Sequence, residues 1–126
     1  MNLYVLLGLD KQYHYINQVN RLNKQLTVEV ILEVIAKEFG ITVQDMKSKS
    51  RKAKIIDARR CLVMAMKHFH KNLSDGVIGF AVNYDRTTVY YHSQIHQNIM
   101  DFDVNGDYAN SYFNVIEKLE PKKQLP

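Results

Sequence analysis

Four consecutive residues, Asp85, Arg86, Thr87 and Thr88, place an acid, a base and two hydroxyls just ahead of an apolar Val89. Asp85 alone suffices to cap a helix that starts there. Arg86, Thr87 and Thr88 are then surplus hydrogen-bonding groups at a helix N-terminus, where free backbone N–H groups and the positive end of the dipole attract phosphate. Taken alone, the pattern is better explained as a well-solvated first turn. A second group of residues changes the balance. Between Lys47 and Lys71 stand Lys47, Lys49, Arg51, Lys52, Lys54, Arg59, Arg60, Lys67 and Lys71 against one acid, Asp57, which is nine of the seventeen basic residues and a local net charge of +8. The remaining eight bases face twelve acids, so the overall charge of +4 conceals a segregation. Charge sorted in this way is the footprint of a polyanionic partner, nucleic acid before anionic membrane.

The elements that must position these groups read as helices throughout. Residues 10–26 are polar, with Tyr13, Ile16, Val19 and Leu22 at helical spacing. Val28, Ile31, Leu32, Ile35 and Phe39 then form one apolar stripe, with Thr27 as N-cap and Gly40 as the stop. Thr42 to Asp45 has the form of a capping box for a short helix. Residues 48–54 lack periodic apolar positions and read as an exposed basic loop. Asp57 is the expected cap of the next helix, whose core side is Cys61, Leu62, Ala65, Met66 and Phe69, with Arg59, Arg60 and Lys67 off that side. Ser74 caps a short helix with Val77, Ile78, Ala81 and Val82. Asn83 and Tyr84 make a tight turn, and Asp85 opens a longer helix whose expected stripe is Tyr91, Ile95, Ile99 and Phe102. A last helix carries Tyr108, Tyr112, Val115, Ile116 and Leu119. With no repeat and no convincing strand, the fold class is all-α. Two helices joined by a tight turn, the second opening in polar groups, follow the pattern of a helix-turn-helix.

At 126 residues the chain is about one domain long, and 46% apolar with 24% charged residues is ordinary for a globular protein. The single cysteine, Cys61, excludes an internal disulfide and a cysteine-based zinc site, and agrees with a reducing cytoplasmic setting. No apolar run reaches membrane-spanning length, and Met1 to Leu9 lacks the basic start and cleavage site of a signal peptide. The expectation is a soluble cytoplasmic protein without a membrane partner. It divides into a helix or linker segment over 1–26, a helical domain over 27–100, and a loop, C-terminal helix and polar tail over 101–126.

The run Val34 to Arg51, then Arg59, then Asp85-Arg86-Thr87-Thr88-Val89 resembles the C-terminal DNA-binding domain of the bacterial replication initiator DnaA, in order and spacing across residues 34–92. The family hallmark Gly-Gly-Arg-Asp-His-Thr-Thr-Val stands here as Val82-Asn83-Tyr84-Asp85-Arg86-Thr87-Thr88-Val89. The Asp-x-Thr-Thr-Val core is kept, both glycines and the leading arginine are lost, and Arg86 replaces the histidine. The resemblance implies a domain that reads double-stranded DNA with a helix-turn-helix in the major groove and a basic-loop arginine in the adjacent minor groove. Carried over position by position, Arg51 is that loop arginine and Arg59 the arginine opening the following helix. Arg60 falls where the family has glutamine, and Lys67 is a phosphate-contacting base. Asp85, Thr87 and Thr88 are groove readers, with Arg86 at the base-reading histidine. Lys49, Lys52 and Lys54 flank Arg51 and complete the candidate DNA-binding set. Because arginine prefers guanine O6 and N7, the expected target differs from the family's own.

No Gly-x-x-x-x-Gly-Lys-Ser/Thr phosphate loop is present, so a non-enzyme without ATP hydrolysis or cofactor is expected, a stand-alone relative of one initiator domain. The alternative is a protein-interaction module of the same ancestry with little specific DNA binding. Two metal motifs are weighed and set aside. Asp101, Asp103, Asn105 and Gly106 match the first half of a calcium loop, but its twelfth position is Tyr112. His92 and His96 lie one turn apart without a third ligand. His68 and His70 are placed with the basic surface, Tyr90 and Tyr91 in core and rim, and Cys61 in the core as an inert small hydrophobe.

Overall fold

The structure, a computed structural model, describes residues 26–120. The helix expected within 10–26 and the tail from Pro121 therefore lie almost wholly outside the described residues. Among the described residues there are six helices and no strand: α1 Val28–Phe39, α2 Val43–Lys47, α3 Ala53–Phe69, α4 Asp75–Val82, α5 Arg86–Phe102 and α6 Asp107–Leu119. The fold is all-α, as expected.

The stripe of α1 is buried in full at Val28, Ile31, Leu32, Ile35 and Phe39. Thr27 Oγ1 accepts the Val30 amide at 3.1 Å. Gly40, at φ 68°, ends the helix in a left-handed cap, with its amide donating to Lys37 O and that of Ile41 to Ala36 O. This pair of bonds satisfies carbonyls that a helix end otherwise leaves free. In α2 the box closes both ways, Asp45 N to Thr42 Oγ1 and Thr42 N to Asp45 Oδ2, each 3.0 Å.

The next helix departs from expectation. α3 begins at Ala53, with Lys52 at the N-cap and no side-chain cap. Asp57 lies inside it and pairs with Arg60 at 2.7 Å. Its start is set by burial: Ile55 goes into the core and Ile56 is half-buried, with both amides donating to Lys52 O. The basic loop is accordingly 48–52.

α4 and α5 meet at a turn that depends on two residues. Asn83 adopts φ 62°, a left-handed conformation that asparagine tolerates better than most side chains. It thus stands in for a glycine of the hallmark. Gly79 permits the crossing itself, since a Cβ there would lie 2.4 Å from Tyr84 O, whose own amide donates to Gly79 O at 2.8 Å. Alanine in a mid-helix position normally gains about 0.5–1 kcal/mol over glycine. Here the clash with backbone wins, and Gly79→Ala is expected to destabilise the protein by about 1–3 kcal/mol, read as a lower urea midpoint at unchanged m-value. An unchanged or raised midpoint would refute this account of the turn.

Capped by Asp85, whose Oδ1 accepts the Thr88 amide at 2.8 Å, α5 buries Val89, His92 and His96. The expected stripe is corrected: Tyr91 is 64% and Phe102 88% exposed, and Ile95 and Ile99 are only half-buried. Tyr90 and Tyr91 are thus outside the core. α6 follows its expected stripe, Tyr108, Tyr112, Val115, Ile116 and Leu119, and packs on α1 and α3 within the same core as Ile31, Leu62, Met66, Ile78 and Val89. Glu38 of α1 ties the two elements at the surface, accepting Asn114 Nδ2 and Lys118 Nζ at 2.9 Å each. Those bonds hold its carboxyl below the usual range, Lys118 contributing most.

Candidate nucleic-acid interface

The first turn of α5 projects Arg86 and Thr87 into solvent, with Thr88 half-buried behind them. Asp85 acts as the cap, and the Thr88 amide it accepts lowers its carboxyl pKa. An orphan N–H of the helix end is thereby satisfied, leaving Arg86 and Thr87 to face outward while the Thr88 side chain also bonds Asp85.

On the neighbouring surface the loop 48–52 exposes Lys49, Arg51 and Lys52. It is shaped from within by its serines: Ser48 Oγ donates to Asp45 O at 2.6 Å, the Ser50 amide to Ser48 Oγ at 3.2 Å, and the Lys52 amide to Ser50 Oγ at 3.3 Å. Loop and helix open onto one groove of about 840 Å³, whose walls include Lys47, Arg51 and Arg59 on one side and Asn83, Thr88, Tyr91 and His92 on the other. Residues thirty-seven positions apart in the chain, Arg51 and Thr88, thus share one concave surface.

The other basic residues are distributed differently from expectation. Arg60 is 6% exposed, not on the basic surface. It bonds Asp57 and lies over the Tyr108 ring, 5.5 Å from its centroid, so its charge is held by an acid and an aromatic face inside the domain. Lys54 sits at the far end of α1, its Nζ 3.6 Å from where a Gly40 Cβ would be, in a hollow shared with Glu38, Asp57 and Asp107. Lys67 reaches the start of α4 and pairs with Asp75 at 2.8 Å. Arg59 is half-buried, with its guanidinium turned onto backbone carbonyls beneath the loop.

Two residues of this surface were assigned elsewhere from sequence. Tyr90 and Tyr91 extend the exposed face of α5 one turn beyond Arg86 and Thr87, and Tyr91 lines the groove. A helical wheel anchored on Val89 finds them, because positions three and seven later, His92 and His96, then take the inward face.

Behind the groove lies a buried polar layer. His96 Nδ1 is 2.8 Å from Tyr108 Oη, and its ring meets those of Tyr108 and Tyr112 edge-on. His92 lies against Tyr84, and its Nδ1 is buried with no hydrogen-bond partner among the described residues. Burial, reinforced by Arg60 and for His92 also by Arg59, pushes both imidazoles down to about 4. Both are neutral at physiological pH. Among the described residues no group of three or more His, Cys, Asp or Glu could hold a metal ion. At the calcium-like loop, Asp103 caps α5 and its carboxylate packs over Gly106. Cys61 is fully buried, and burial raises its thiol pKa. No helix among the described residues is long and apolar enough to cross a membrane.

A short helix, a left-handed turn and a capped second helix with a polar first turn make this a helix-turn-helix domain of the DNA-binding kind. The sequence profile described as bacterial DnaA protein helix-turn-helix matches residues 28–95, and the chain belongs to that family. Similar proteins include the chromosomal replication initiator protein DnaA of Nautilia profundicola, 30% identical over 100 residues that cover 79% of this chain and 22% of that protein. The DnaA of a Synechococcus strain is 34% identical over 85 residues, covering 64% and 18%. That of Thermodesulfovibrio yellowstonii is 37% identical over 70 residues, covering 55% and 16%. The matched part of this chain thus corresponds to about a fifth of the length of these relatives.

Proposed function

We propose that this chain binds double-stranded DNA with sequence preference and without hydrolysing ATP. In this reading the start of α5 enters the major groove, where Arg86, Thr87 and Thr88 meet base edges. The loop lies on the adjacent minor groove and backbone, with Arg51 reaching inward and Lys49 and Lys52 on phosphate. Asp85 holds the first turn in place. The observation that carries the reading is the shared groove, which sets Arg51 and Thr88 on one surface of the domain. Family membership supports the same partner. The chain's own residues include no phosphate loop to hold a nucleotide. The relatives are named as chromosomal replication initiators, which makes origin-type duplex sites the first natural sequences to try.

The test is selection of bound sequences from a random duplex library at about 150 mM salt, near physiological ionic strength. A recurring motif is expected, with guanine opposite Arg86. Arg51→Ala and Thr87→Ala should relax preference at particular positions, costing about 1–3 kcal/mol on the selected site, whereas Lys49→Ala should weaken all duplexes alike. Salt-sensitive retention with no enriched motif would overturn the sequence preference. Absence of duplex binding altogether would overturn the reading and leave a protein partner as the alternative.

A further inference from the structure

Arg59 belongs to the basic cluster by charge, yet its hydrogen bonds point inward. Nε donates to Met46 O at 3.0 Å, Nη1 to Ser50 O at 2.6 Å, and Nη2 to Ser48 O. These three carbonyls come from the last turn of α2 and from alternate residues of the loop. The first is among the carbonyls that the end of a helix leaves without an intrahelical partner. Only a planar fork of several N–H donors can reach three such acceptors together; an ammonium on a flexible stem offers no equivalent geometry. The residues between and after the two serines, Lys49, Arg51 and Lys52, are exposed. The carbonyls of Ser48 and Ser50 thus turn toward Arg59, while the basic side chains of the loop face solvent.

We propose that Arg59 is a positioning residue for the basic loop, a guanidinium strap from α3 that holds the loop so that Arg51 faces the groove shared with Thr88. The consequence for DNA rests on the reading above; the strap itself does not. Arg59 then acts on DNA through the loop and makes no phosphate contact of its own. Its replacement by lysine, which keeps the charge, should be nearly as harmful as its loss.

Two measurements on the full chain without DNA test the strap. The wild-type Arg59 Nε–H should give a nitrogen-15 resonance protected from solvent exchange at neutral pH. In Arg59→Lys, trypsin should cleave after Lys49, Arg51 and Lys52 at least fivefold faster than in wild type, scored by mass spectrometry against cleavage after Lys67 as an internal reference. An exchange-broadened Nε–H, or unchanged loop cleavage in a folded variant, overturns the proposal. A third arm uses the best duplex from selection. Arg59→Lys should lower affinity about tenfold in wild type, but less than twofold where Lys49, Arg51 and Lys52 are already alanine. Equal losses in both backgrounds would make Arg59 a direct DNA contact and overturn the positioning role. If the wild type binds no duplex, the DNA-binding reading fails, while the two DNA-free measurements still decide the strap.

Discussion

Acidification from pH 7.5 to 4.5 is expected to lower the unfolding free energy steadily, with the loss starting near pH 6.5. The cause is the pair His92 and His96 beneath the first turns of α5. In the unfolded chain each should titrate near the ordinary 6.5; in the fold each is pushed down to about 4. The depressed pKa means that the unfolded state takes up the proton first. The stabilisation is therefore complete above about pH 6.5 and is lost as the pH falls toward 4. Each histidine contributes a slope of at most about 1.4 kcal/mol per pH unit, so two acting together can remove a large part of a small domain's stability. The groups around them work in the same direction. Arg60 and Arg59 of α3 are near enough to His92 to disfavour its charged form, as Arg60 is to His96, while Tyr84 lies against His92 and Tyr108 and Tyr112 of α6 against His96. A proton on either ring adds positive charge beside guanidinium. The carboxylates with lowered values, Glu38, Asp45 and Asp85, also stabilise above their ordinary pKa, but that contribution falls away only below about pH 4.5. Urea melts followed by circular dichroism across pH 7.5 to 4.5 separate the two windows. Replacing His92 by leucine and His96 by phenylalanine should remove most of the slope in the upper window, leaving the share of His70, whose pKa burial also lowers. A slope undiminished by both replacements would remove the pair as its source.

Duplex affinity should collapse with salt. Lys47, Lys49, Arg51, Lys52 and Arg86 are exposed and free of ion pairs among the described residues. Counting one phosphate for each sets the steepest expected slope of log K against log salt at about −4.5, at roughly −0.9 per neutralised phosphate. Between about 50 and 200 mM salt, that is a loss of several hundredfold. Lys67, held by Asp75, and Arg60, buried against Asp57, should contribute little to the slope, although the raw charge count includes both. Titration of a labelled duplex at four salt concentrations gives the slope. Lys49→Ala should reduce its magnitude by about one, and Lys67→Ala should leave it nearly unchanged. A slope near −1 in the wild type would mean that the loop does not lie on the DNA.

The parts of this architecture that were legible in the sequence are those decided locally. Thr27, Gly40, the Thr42–Asp45 box, Ser74 and Asp85 each cap or end a helix through neighbours within four residues, and each does so in the fold. The stripes of α1 and α6 were equally clear, being built from unambiguous apolar residues. Errors arose where side-chain type is a poor guide to environment. A stripe anchored on Tyr91 and Phe102 rotates α5 away from its true inward face, which Val89, His92 and His96 form. Arg60 reads as a surface residue because burial of an arginine needs partners distant in sequence, and Tyr108 lies forty-eight residues away. Asp57 reads as a cap because aspartate commonly is one, while the earlier start at Ala53 depends on where Ile55 is buried. The turn of Arg59 toward the loop carbonyls has no local signature, since nothing at Ser48 or Ser50 announces a guanidinium nine or eleven residues later.

The place of α6 separates two boundaries that are easily confused. The stretch by which the chain is assigned to its family ends at residue 95, whereas Val115 and Leu119, twenty and more residues later, complete the hydrophobic interior against α1. The stretch that carries the family match is shorter than the one that closes the hydrophobic interior. A fragment cut to the matched stretch would retain every candidate DNA-facing group yet lose the apolar cover of the helix that supports them. The groups that would meet DNA and the apolar cover behind them thus stand on different segments of one chain.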